Sequence, residues 1–120
     1  MKYAYKIVDK KMRSIRATGK SVRIDYKLGK WTQPKIKGSK IFVFRSKRRA
    51  ERQIERWEGQ RLFKCLVEEM KPIYCVLDTF HLSARRIELF WTSRQSTLRL
   101  ISAYNSAFVT GKVKLIEEIL

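Results

Sequence analysis

The residues best suited to chemistry lie between Tyr26 and Lys40, in the stretch YKLGKWTQPKIKGSK. Lys27, Lys30, Lys35, Lys37 and Lys40 flank Trp31 there, and no acid interrupts them. Ammonium groups track a phosphate backbone, and an indole stacks on a nucleobase for about 1–3 kcal/mol per base. Trp31 taken alone also fits a core plug at one end of a sheet, because tryptophan is highly buried on average. The lysines lack that alternative, since a lysine-rich loop runs over the surface. Downstream, Arg45, Lys47, Arg48, Arg49, Arg52 and Arg56 make a second run of cations, with Glu51 and Glu55 between them. Arginine forks match phosphate oxygens two at a time. The rival reading is a solvated helix face whose internal ion pairs are worth little. The candidate nucleic-acid-binding residues are therefore Lys30, Trp31, Lys35, Lys37, Lys40, Arg45, Lys47, Arg48, Arg49, Arg52 and Arg56.

Other chemistry is poorly provided for. His81, in TFHLSA, is the single histidine, and a lone histidine is more often a helix-start or loop residue than a general base. Cys65 and Cys75 form no C-x-x-C pair for zinc. A metal-dependent nuclease needs clustered carboxylates. Glu69-Met70-Lys71 has the E-x-K spacing of such sites and Asp25 is a possible partner, but that spacing is common by chance. No glycine-rich phosphate loop or dinucleotide fingerprint is present. The sequence thus assigns no catalytic residue, no metal ligand and no cofactor.

The elements that must position these residues follow from periodicity. Tyr3, Tyr5 and Ile7 alternate over 3–8, which suits a strand. Residues 10–20 read as a loop or a short connecting strand. Val22, Ile24, Tyr26 and Leu28 alternate with Arg23, Asp25 and Lys27, the pattern of a half-buried strand. Residues 29–40 form a loop punctuated by Gly29, Pro34 and Gly38. Residues 41–44, IFVF, are apolar throughout and predict a strand buried on both faces. Ser46 then caps a helix over 47–58. Ala50, Ile54 and Trp57 make its apolar stripe, and Gly59 ends it. Residues 61–68 predict a strand, and Pro72 turns the chain toward another in IYCVL. Ser83 could cap a second, short helix through Ile87, Phe90 and Trp91. Residues 96–104 fit helix or strand, and the tail KVKLIEEIL starts like a strand and ends like a helix. The expected fold class is α+β: a curled, largely antiparallel sheet with one principal amphipathic helix and a second short one.

A length of 120 residues fits a single domain, 1–120, and an apolar content of 44% is enough for a core. No apolar run is long enough to span a bilayer. No signal peptide is visible, so a cytoplasmic protein with reduced cysteines is expected; a Cys65–Cys75 bridge is the minor alternative. The charge of +17 is concentrated. Residues 1–50 carry 17 Lys and Arg against two acids, a net of +15, whereas residues 51–120 carry 11 against nine, a net of +2. Such a field recruits polyanions, although in space both halves can mix and the charge then serves solubility alone. No zinc-finger spacing, RNP sequence or bZIP heptad accompanies it, so contact to DNA or RNA is expected to be mainly to the phosphate backbone.

Three segments taken in order, YKLGKWTQPKIKGSKIFVF from Tyr26, the helix opening around Ala50 with the strand carrying Cys65, and AFVTGKVKLI from Ala107, resemble small proteins of unknown function from phages and other viruses. The resemblance implies a viral or mobile-element accessory protein acting in the host cytoplasm, and carries over no activity. The reading that results is a small basic nucleic-acid-binding protein with weak sequence selectivity. An accessory protein that docks on an acidic host protein is the alternative, and a metal-dependent nuclease a minor one. The apolar residues Leu115, Ile116, Ile119 and Leu120 complete the core or, as the lesser alternative, form a homodimer contact.

Overall fold

Strand β1 (Lys2–Val8) is the axis of the computed structural model, which describes residues 2–15, 23–35, 40–72, 75–77, 100–102 and 107–119. Around it are β2 (Trp31–Thr32), β3 (Ile41–Phe44), β4 (Arg61–Val67), β5 (Lys71–Pro72), β8 (Ala107–Thr110) and β9 (Val113–Ile119). These seven form one open sheet in the order β2-β9-β4-β1-β3-β8-β5. A separate pair joins β6 (Cys75–Leu77) to β7 (Leu100–Ser102). Every described pairing between strands is antiparallel. With the single described helix α1 (Lys47–Gln53) and one 3-10 turn (Arg56–Glu58), this is an α+β arrangement. The expected second helix lies outside the described residues. No described helix is long and apolar enough to cross a membrane.

Both faces of the sheet carry apolar residues. One face holds the main core: Ala4 and Val8 of β1, Ile41 and Val43 of β3, Phe63, Cys65 and Val67 of β4, and Val113 and Leu115 of β9. Ile24 and Tyr26, from the segment before β2, pack against it. The Cys65 thiol is buried and free. Tyr5 and Ile7 point to the other face, where Ile7 and Leu62 bury against Ala50 of α1. The Tyr3-Tyr5-Ile7 alternation is thus real, but the larger core lies on the opposite side of β1, with Lys6 between Ala4 and Val8.

Several elements differ from expectation for identifiable reasons. Residues 23–28 make only an isolated bridge, Arg13 to Asp25, rather than a strand; Ile24 and Tyr26 are buried, but Leu28 is 56% exposed. The IFVF segment buries Ile41 and Val43 and leaves Phe42 and Phe44 half-buried, because α1 covers only part of the second face. Helix α1 ends at Gln53, not at residue 58. The Glu55 N–H, which a continuing helix would give to residue 51, is taken by Gln60 Oε1 at 2.9 Å. Gly59, at φ 80°, closes the 3-10 turn instead of the helix. Trp57 consequently leaves the apolar stripe and is 78% exposed. The tail is strand to Ile119, inserted between β2 and β4. Lys64 pairs with Glu117 and Cys65 with Leu115, so Ile116 is the extra residue of a β-bulge. That bulge flips the side-chain alternation, leaving Leu115 in the main core and sending Ile119 to the Ala50 cluster.

Candidate nucleic-acid interface

Trp31 reaches the sheet through a turn. The Lys30 N–H bonds the Lys27 carbonyl at 3.2 Å, Gly29 takes φ 76°, and its N–H bonds the Leu115 carbonyl at 2.7 Å. That left-handed conformation explains a glycine there. The turn delivers Trp31 to the edge strand, opposite Lys114 of β9. Trp31 is 38% exposed, with Lys112 Nζ 5.0 Å from the ring centroid. Trp31 is therefore a partly exposed ring with a cation against it, not a core plug.

The remaining candidates divide by position. Lys30, Lys35, Lys40, Arg45, Lys47, Arg48, Arg52 and Arg56 are exposed, and Arg49 is half-buried; Lys37 lies outside the described residues. Ser46 Oγ accepts from the Arg49 N–H at 3.4 Å, the expected cap, though a long one. Lys47 reaches Glu51 at 3.8 Å. Among the described residues no acid pairs with Arg45, Arg48 or Arg52. Lys30 and Trp31, at β2, do not merge with the arginine helix, however. Helix α1 packs on β1 and β3, whereas β9 and β4 separate β2 from β1.

What lies between them was not legible as a site. In an antiparallel sheet, paired residues share a face. Trp31 pairs with Lys114, Lys114 with Leu66, and Leu66 with Tyr3, giving one row across four strands. Lys64 stands in the next row opposite Tyr5, with Nζ 4.3 Å from the Tyr3 ring centroid. Tyr3 is 56% exposed, since α1 covers only the Ile7 and Leu62 end of this face. Acids are present too: Glu68 pairs with Lys112 at 2.9 Å, and Glu117 lies opposite Lys64. The scattered spacing of residues 3, 31, 64, 112 and 114 hides the grouping; register alone creates it.

The core face holds a second polar group that sequence reasoning missed. Lys6 is half-buried, donates from Nζ to the Phe42 carbonyl at 2.7 Å, and lies 5.7 Å from the Tyr26 ring centroid. Burial lowers its pKa to about 8, against a smaller opposing pull from Cys65. The Tyr26 hydroxyl is buried without a hydrogen-bond partner, and burial raises its pKa. Among the described residues no carboxylate is hydrogen-bonded or ion-paired to either group. Glu69, Lys71 and Asp25 bring no metal centre together: among the described residues no group of three or more His, Cys, Asp or Glu could hold a metal. His81 lies outside the described residues. No protein-family model, curated protein or solved structure matches this chain.

Proposed function

We propose that this protein binds nucleic acid mainly through the phosphate backbone, with weak sequence selectivity. The observation that carries this reading is the set of exposed guanidinium groups of Arg45, Arg48 and Arg52, which have no acidic partner among the described residues. Arg48 and Arg52 are one helical turn apart, and like charges at that spacing destabilise a helix by about 0.2–0.5 kcal/mol. A bound phosphate would turn that repulsion into attraction. Lys30, Lys35 and Lys40 extend the field from the loop, and the net charge of +17 supplies long-range attraction. The test is fluorescence anisotropy with labelled single- and double-stranded DNA and RNA at several salt concentrations. Replacing Arg45, Arg48 and Arg52 by Gln should weaken binding to every sequence and flatten the log–log salt slope by about 0.7–0.9 for each phosphate no longer neutralised. Parent-like affinity and slope in that variant would remove the arginines from the interface. Capture of an acidic protein that no generic polyanion displaces would favour a protein partner instead.

A further inference from the structure

We infer that the uncovered half of the second sheet face, carrying Trp31, Tyr3, Lys64, Lys112 and Lys114, is a stacking platform for unpaired bases, and that the ligand is a single strand. The inference rests on the nucleic-acid reading and names its substrate class. Trp31 and Tyr3 are 38% and 56% exposed on one face, in the row that runs through Lys114 and Leu66. Each ring has a lysine ammonium against it, Lys112 at 5.0 Å and Lys64 at 4.3 Å. Isolated exposed aromatics need no explanation, but two in one cross-strand row, each with a cation, match what stacking of bases between tracked phosphates requires.

Spacing selects the strand type. Three inter-strand steps of about 4.8 Å separate the backbone positions that carry the Trp31 and Tyr3 rings, roughly 14 Å in all. Bases in a duplex lie about 3.4 Å apart along each strand, with both faces covered by neighbours. Rings this far apart can stack only on bases splayed from an extended single strand. Leu66, half-buried between them, supplies an apolar floor. Lys114 and Lys64 have no ion pair among the described residues, although Glu117 stands opposite Lys64 in the sheet. Lys112 is shared with Glu68, whose side chain is 55% exposed. An exposed pair of this kind contributes little and is readily exchanged for phosphate.

The experiment compares a labelled oligothymidylate with a duplex of equal length at matched salt, using the parent, Tyr3→Ala, Trp31→Ala and the double variant Lys64→Gln/Lys114→Gln. The parent should prefer the single strand. Tyr3→Ala and Trp31→Ala should each lose about 5- to 150-fold in single-strand affinity with an unchanged salt slope, because neither removes a phosphate-neutralising charge. The lysine double variant should instead flatten the slope by about 0.7 per residue. Trp31→Ala could disturb the edge strand, so Tyr3→Ala, at a half-exposed site, decides the matter if the melting temperature of the tryptophan variant falls. Parent-like single-strand affinity in a folded Tyr3→Ala protein, or preference for the duplex, would overturn the platform while leaving the arginine surface standing. Failure of the parent to bind any nucleic acid near physiological salt would overturn both.

Discussion

Lys6 carries the least expected side chain in the fold. It sits on the core face of β1 between Ala4 and Val8, and its ammonium donates to the Phe42 carbonyl. Burial lowers its pKa from the ordinary 10.5 to about 8. Between those values the unfolded chain binds more protons than the folded one, so stability rises with pH across that window. Cys65 works in the opposite sense: burial pushes its thiol from 9.0 to about 12, the folded chain keeps a proton that the unfolded chain loses, and stability falls over that range. The Cys65 contribution is common to the parent and to a Lys6 variant that keeps the core packed, so it drops out of their difference. The urea midpoint of the parent should therefore gain on that of Lys6→Met between pH 8 and 9, and an unchanging difference would place the ammonium in water. Nothing in KYAYKIV announces this. The alternation shows two faces, and tyrosines on one of them made it look like the core. The packing of Ile24 and Tyr26 on the other face decides which becomes interior.

The elements behave as their local chemistry directs, except where a distant residue competes. Asp9 ends β1 by accepting from the Lys11 and Arg13 N–H groups, each at 2.8 Å, and from Arg13 Nε at 2.9 Å. Burial alone would raise its carboxyl, but these donors outweigh that and hold it below its ordinary value. Pro72, which has no N–H to donate, stands in the edge strand β5. Helix α1 shows the competition, because Gln60 captures the Glu55 N–H and the helix gives way to a 3-10 turn closed by Gly59. A Cβ at Gly59 would lie 3.2 Å from Lys10 Cβ, and the φ of 80° is itself unfavourable for an L side chain. Gly59→Ala should thus cost about 1–2 kcal/mol, read from urea unfolding. A loss under about 0.3 kcal/mol, within the range of a neutral surface change, would mean that the turn relaxes freely. The Ser46 cap and the Ala50 burial were legible from nearest neighbours, whereas the end of the helix at Gln53 was not. The exposure of Trp57 was not, since it depends on a side chain past the end of the turn.

At the scale of the molecule, charge and topology act against each other. The +15 of residues 1–50 does not stay apart, because β2 from that half lies beside β9, and the adjacent β1 and β3 lie between β4 and β8 from the other. Ion pairs offset part of the charge within the second half: Arg61 donates two hydrogen bonds to Glu118, at 2.8 and 2.7 Å, which raise its pKa and lower that of Glu118. Uncompensated positive charge remains, and self-repulsion destabilises a compact state. Raising salt from about 0.01 to 0.3 M, which shortens the screening length several-fold, should increase the urea midpoint. A decrease would mean that pairs such as Arg61–Glu118 outweigh the net repulsion. The sequence by itself determined the net charge, the strands β1, β3 and β4, the start of the helix after Ser46, and the α+β class, because these depend on composition and on neighbours a few residues apart. Only the tertiary structure decided which face of β1 is core, where the bulge at Ile116 turns Ile119, and that Tyr3, Trp31, Lys64, Lys112 and Lys114 share one surface. Each of those depends on strand order and register, which arise from pairings between residues far apart in the chain and leave no local signal.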